Sequence, residues 1–174
     1  MIRWLLPLMA ALLFAAVPAI AAPLTVTKRA QTISDPLGNL LPRAIPGAEV
    51  DYTVTINNPN GVLAAVSGVT FADAIPAGTQ LKVADLALLI PGPVEFIDGN
   101  VLGLLGSGLS YGYTSLRATG DGLQFSSDNG VTWDYQPVAD GNGCDVRVTN
   151  IRVSLTGLQV AGSSFALRFR VRLR

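Results

Sequence analysis

The sequence predicts an all-β domain of two packed antiparallel sheets, and three observations predict it. After residue 22 no segment carries the 3.6-residue apolar period of an amphipathic helix. Apolar and polar residues alternate instead, most regularly at Val50, Tyr52, Val54 and Ile56 against Asp51, Thr53, Thr55 and Asn57. The same alternation returns at Phe165, Leu167, Phe169, Val171 and Leu173 against Arg168, Arg170, Arg172 and Arg174. Clusters of Gly, Pro, Asn and Asp separate such runs. Side chains alternate sides along a strand, so each run buries one face and turns the other to water or a partner. About seven to nine short strands at this spacing fit an immunoglobulin-like antiparallel sandwich, with a closed barrel as the alternative.

Taken in order, residues 1–21 read as a cleavable signal-peptide helix. Arg3 supplies the basic start, Trp4–Val17 the apolar core, and Pro18-Ala19-Ile20-Ala21 the small residues that precede cleavage. Residues 22–174 then form one domain, with no linker and no internal repeat. Leu24–Thr27 opens it, ending at Lys28 and Arg29, and the loop "SDPLGNLLPRAIPG" follows. The strand Val50–Asn57 stops at "NNPNG", where Pro59 cannot donate to a ladder. Val66–Phe71 is the next strand, closed by a turn at Pro76 and Gly78. Leu81–Val83, Val94–Ile97 and Leu109–Tyr113 are shorter candidates. Leu123–Phe125 and Val131–Trp133 read as a hairpin around Asp128-Asn129-Gly130. Val146–Leu155 reads as one strand with a bulge at Thr149 or Asn150, and Phe165–Arg174 closes the chain.

Composition narrows the chemistry. Charged residues make up 14% of the chain and the net charge is zero, whereas nucleic-acid-binding domains are basic; nucleic acid is not an expected partner. The apolar segment 86–109 is broken by Pro91, Pro93, Glu95, Asp98 and repeated Gly, and the rest of the chain beyond the signal offers no run long enough to span a bilayer, so no membrane insertion is expected after signal cleavage. The single cysteine, Cys144, cannot form an internal disulfide; it is either buried and inert or free to pair between chains.

There is no histidine, which removes the usual Ser-His-Asp and Cys-His nucleophile systems and the common zinc and copper sites. Gly108-Leu109-Ser110-Tyr111-Gly112 matches the G-x-S-x-G of hydrolase elbows, but the alternation places it on a strand without a following helix. Asp140 and Asn142 in "DGNGCD" have the spacing of calcium ligands, yet Cys144 occupies the next position and no distal Glu follows; a polar turn fits better. Asp121, Asp128, Asp134 and Asp140 offer carboxylates for glycoside hydrolysis, but nothing fixes a pair at a catalytic distance, and Asp before Gly or Asn, as at Asp121, Asp128 and Asp140, is ordinary turn chemistry. No catalytic residue, metal site or cofactor is expected.

The segments "LTVTKRA", "AIPGAEVDYTVTINNPNG" and "VTFADAIPAGTQL" resemble the conserved repeat domain of unknown function of bacterial and archaeal exported and cell-surface proteins. The matching features are the early strand ending at Lys28, the Pro-Gly before a Tyr-containing strand, the Asn-rich turn, and Asp73 ahead of Pro76-Ala77-Gly78. The resemblance spans nearly all of residues 23–174, as a single copy. It implies an immunoglobulin-like sandwich and export, and it names no activity. Lys–Asn and Lys–Asp amide crosslinks occur in some surface sandwich domains; here Lys28 would pair with Asn150 or Asp73, unless it is simply an exposed strand-end lysine.

Charge is unevenly placed. Residues 85–145 hold eight acids and one base, whereas residues 145–174 hold six arginines and one acid, Asp145. Arg168, Arg170, Arg172 and Arg174 alternate along one strand face about 6.6 Å apart, which is unfavourable unless anions lie alongside. Internal acids such as Asp51 or Asp145 would make the face structural. Otherwise it is a partner-facing surface for the acidic region of a second copy, another protein or an anionic glycan. The expected role is that of an exported adhesion- or assembly-type module, secreted to the periplasm, cell surface or medium. The alternatives are a carbohydrate-binding module that displays Trp133, Tyr111 or Tyr113, and a pilin-like subunit that donates residues 164–174.

Overall fold

The computed structural model describes residues 21–61, 64–99 and 106–174; the signal segment read at 1–21 lies, apart from Ala21, outside them. Twelve strands follow in chain order: β1 (Thr25–Ser34), β2 (Glu49–Asn57), β3 (Val66–Ser67), β4 (Thr70–Ala74), β5 (Thr79–Lys82), β6 (Val94–Asp98), β7 (Leu109–Ser110), β8 (Leu123–Ser126), β9 (Cys144–Asp145), β10 (Asn150–Ser154), β11 (Thr156–Gln159) and β12 (Ser164–Leu173). No helix occurs among the described residues.

The larger sheet runs β1-β2-β12-β5-β9, with β6 also paired to β12. All its pairings are antiparallel. Its axis is the β2–β12 ladder, in which Ile56, Val54, Tyr52 and Val50 stand opposite Phe165, Leu167, Phe169 and Val171. Directly opposed residues share a face, so the two alternating runs produce one continuous apolar surface. The other layer consists of β4-β10-β8 and β3-β11-β7. These are nearly one sheet: β3 leads into β4 through Gly68 and Val69, β10 into β11 through Leu155, and the Leu155 N–H donates to the Val69 carbonyl across the break. Ile151, Val153, Leu123, Phe125 and Leu155 from this layer join Val54, Leu167, Phe169 and Leu81 from the first in one core. The arrangement is consistent with a β-sandwich.

Several short elements differ from the sequence reading. The return arm expected at Val131–Trp133 is not a strand. The β8 ladder is instead filled by β10, and only the isolated Phe125–Tyr135 bridge touches the returning chain. Asp128 is the physical reason. Its carboxylate accepts from Ser126 Oγ, from the Val131 and Thr132 N–H groups and from Thr132 Oγ1, which curls the chain into a cap and leaves Val131 in solvent. The single strand expected over Val146–Leu155 is split, because Asp145 turns the chain by accepting the Arg147 N–H and Val146 points outward. The first strand is longer than expected and reaches Ser34.

The "NNPNG" turn is built around Asn58, which is fully buried. Its amide donates to the carbonyls of Ala64, Gln159 and Val160, and its oxygen accepts the backbone and side-chain N–H groups of Asn60. Burying a polar side chain without such partners is costly, and these bonds offset the cost at Asn58.

Candidate functional site

The four arginines read as partner-facing divide into two pairs. Arg168 and Arg170 are largely buried beneath a carboxylate network. Arg168 Nη1 lies 2.6 Å from Asp51 Oδ2 and its Nε 2.6 Å from Glu95 Oε2; Arg170 Nε lies 2.6 Å from Asp51 Oδ1, and its Nη1 3.5 Å from Glu49 Oε2. Register brings these groups together: Asp51 stands opposite Arg170 on β2, and Glu95 opposite Arg168 on β6. Burial alone would push the Asp51 carboxyl up, but the hydrogen bonds and charges of Arg170 and Arg168 outweigh it and hold the group below its usual range. Glu95 belongs to the acidic 85–145 region, so part of the charge asymmetry read as intermolecular is met within the chain. Asp145 does not serve the ladder. It accepts from Tyr135 Oη at 2.7 Å and from the Val138 N–H at 2.7 Å.

Arg172 and Arg174 lie at the far end of β12. Arg172 Nε donates to the Gly47 carbonyl at 3.3 Å, and Arg174, exposed, donates its N–H to the Gly78 carbonyl. No carboxylate pairs with either among the described residues. Arg172 borders the β1–β2 loop, whose three leucines are turned outward. Leu40 is as exposed as an isolated residue, Leu37 is 72% exposed and Leu41 86%.

This loop is a built structure. Asp35 accepts from the N–H groups of Leu37 at 2.9 Å and Arg43 at 2.8 Å and from the Asn39 side-chain amide at 2.9 Å. The bonds from Asn39 and Arg43 hold its carboxyl down at about 2. The base is pinned where the Gly47 N–H donates to the Leu173 carbonyl at 2.8 Å. Gly47 has φ +89°, and the Pro36 ring lies where a Cβ would be, 2.7 Å away; any side chain here would displace the loop. The leucines therefore project from a fixed frame.

A second apolar tip lies between β5 and β6. Ala87 and Ile90 close a tight turn, Asp85 Oδ1 accepts the Gly92 N–H at 2.7 Å, and Leu88 and Leu89 stand in solvent. Leu89 and Ile90 also border a cleft of about 380 Å³ with Val94, Phe96, Tyr111 and Tyr113. Burial and the nearby charge of Asp121 push the Tyr111 hydroxyl up, and its buried oxygen has no hydrogen-bond partner among the described residues.

The remaining candidates fall into structural roles. Ser110 of the G-x-S-x-G match lies on β7, whose next strand is β8, with no helix following. Asp121 accepts from the Thr114 and Leu123 N–H groups, and Asp140 from those of Asn142 and Cys144, so each carboxylate organises its own turn. Cys144 is buried; burial, then the Asp140 charge, pushes its thiol up, away from the reactive thiolate. Lys28 meets Asp73 rather than Asn150, and the pair joins the edge of one sheet to the edge of the other. The Lys28 ammonium also lies 4.9 Å from the Tyr52 ring centroid and 5.4 Å from that of Phe169. A charge pointing inward from an edge strand discourages further strand pairing.

Trp133 is half-buried, with the Arg152 guanidinium 4.5 Å from its ring centroid and Arg152 Nε bonded to Gln124 Oε1. A cleft of about 140 Å³ opens beside it, lined by Arg117, Thr119, Gln124, Asp134 and Gln136 among others. Sequence reading singled out Trp133 but not Arg152 or Gln124, which face each other only through the β8–β10 register.

Fold and surface together define an all-β, antiparallel domain whose ordered polar groups serve its own turns and ladders. No family model, no curated protein and no solved structure matches the chain.

Proposed function

We propose that the protein is an exported interaction module, immunoglobulin-like in its sandwich and related to the conserved repeat domain that its strand and turn motifs resemble. It works by docking rather than by catalysis. The observation that carries this reading is the division of its surface: the charges at the middle of β12 are matched within the chain, whereas large apolar side chains stand in solvent on loops held by their own hydrogen bonds. Monomeric proteins seldom maintain such a display without a surface to cover it. Docking through the end of the sandwich leaves β12 in place, whereas donating residues 164–174 would remove the strand that joins β2 to β5 and β6.

The test is fractionation of producing cells. The chain is expected outside the cytoplasm, beginning at Ala22 and retained by the envelope, and Leu40→Asp/Leu41→Asp is expected to release it into the soluble fraction. Recovery in the cytoplasm with residues 1–21 intact would sink the reading, as would retention unchanged by substitution of either leucine tip.

A second reading, carbohydrate binding, is favoured by the Trp133 cleft. An aromatic ring with Gln124, Arg117 and Asp134 at its rim supplies the stacking face and planar hydrogen-bonding groups that a sugar ring needs. Trp133 would be the one tryptophan left after signal removal, so its fluorescence reports this site alone. Titration with envelope oligosaccharides should shift the emission, and a flat titration removes this reading.

A further inference from the structure

We infer that the β1–β2 loop is a lipid-surface contact: Leu37, Leu40 and Leu41 enter the headgroup–acyl boundary of an anionic bilayer while Arg43, Arg172 and Arg174 meet its phosphates. The inference rests on the docking reading above and names the partner of that surface.

Shape is the first argument. The three leucines occupy the tip of a loop, not the floor of a groove, and their backbone is held by Asp35, so a bilayer can take them without the loop refolding. Charge is the second. Arg43 is exposed within the loop, the Arg172 guanidinium comes within 3.5 Å of the site a Gly47 side chain would occupy, and Arg174 is exposed at the end of the adjoining strand. Of the acids at this end, Glu49 is paired with Lys82 at 2.7 Å and with Arg170, whereas Asp35 and Asp140 stay ionised on the N–H groups of their own turns, two charges against the three arginines. Cationic side chains around an apolar insertion match a negatively charged bilayer surface. The other leucine tip lacks this collar. From Val83 to Val94 the sequence holds no lysine or arginine, and Asp85 is the one charged residue beside Leu88 and Leu89. The contact is adsorption at headgroup depth, not a span; no described helix is long and apolar enough to cross a membrane.

The experiment is co-sedimentation of the purified exported protein with vesicles of equal parts phosphatidylglycerol and phosphatidylcholine, and with phosphatidylcholine alone. Binding to the anionic vesicles is expected, weaker by about tenfold on the neutral ones and falling as salt rises. Leu40→Asp/Leu41→Asp should reduce it by about tenfold or more with an unchanged urea midpoint, and Leu88→Asp/Leu89→Asp should leave it intact. Absence of binding to the anionic vesicles, or equal binding by the Leu40/Leu41 variant, overturns the proposal. A dimer in light scattering that disappears in the Leu40/Leu41 variant, without vesicle binding, would show that the tip meets a second copy and overturns it too. Envelope retention lost in the same variant without vesicle binding would leave the docking function standing and remove only the lipid.

Discussion

The middle and the end of β12 carry the same residue type in the same alternation and do different things. At Arg168 and Arg170 the neighbouring strands offer Asp51, Glu95 and Glu49, and the guanidinium groups are covered and matched. At Arg172 the residue opposite on β2 is Glu49, already held by Lys82 and Arg170, so the guanidinium turns to the Gly47 carbonyl; Arg174 lies beyond the strand's end at Leu173, and the adjoining loop presents leucines. A charged stripe is therefore not one surface. What each arginine can do depends on the strand lying opposite it.

The largest effect should come from the middle. Asp51→Ala leaves two largely buried guanidinium groups without their shared carboxylate and should cost about 3 kcal/mol in urea unfolding, the scale of breaking a buried ion pair. The pH dependence has the same origin. Because the folded Asp51 pKa lies below the ordinary 3.8, its stabilisation is fully present above about pH 4 and lost as pH falls through the lowered value. An acid titration of the unfolding midpoint should thus lose less in Asp51→Ala than in the wild type; parallel curves would exclude Asp51 as a source of acid lability.

Lys28→Ala should have a smaller effect, about 1 kcal/mol, since the pair with Asp73 is partly exposed. The same variant removes the inward charge from an edge strand, so faster aggregation in light scattering is the sharper readout. Intact mass separates an ion pair from a crosslink at this position: amide formation would remove one water, about 18 Da, and the ion pair predicts no loss. At the loop, Leu40→Asp/Leu41→Asp should change stability by less than about 0.5 kcal/mol, because exposed side chains contribute little to the core. The stabilisation from the Asp35 cage is fully present above the ordinary carboxyl value of 3.8 and is lost as pH falls from there through about 2. An Arg43 amide unprotected already at neutral pH would contradict the cage.

Two of the three long strands, β2 and β12, were legible because each has one face buried and the other polar, and they lie where the alternation placed them; β1, as long but largely exposed, was read only over its first residues. The second layer was much less legible. Its strands are two to five residues long and their partners are distant in sequence, as when β8 pairs with β10 rather than with the chain just beyond the turn. An acidic partner for the arginine face was anticipated at Asp51, but Glu95 was not, since 73 residues separate it from Arg168 and only the β6–β12 register unites them. The loop leucines escaped notice for a different reason. Composition does not distinguish an exposed leucine from a core one, and the available cue was Asp35 ahead of "PLGN", an Asx turn that fixes the backbone so the side chains face outward.

Amide exchange of the exported protein, free and with its own envelope fraction, decides between the two ends of the stripe most directly. The Leu40 and Leu41 N–H groups have no acceptor among the described residues and should exchange fast in the free protein. Slowing confined to residues 37–43, with 164–171 unchanged, is the predicted result. Protection on the outer face of residues 164–171 with 37–43 unaffected would return the docking role to the arginine face.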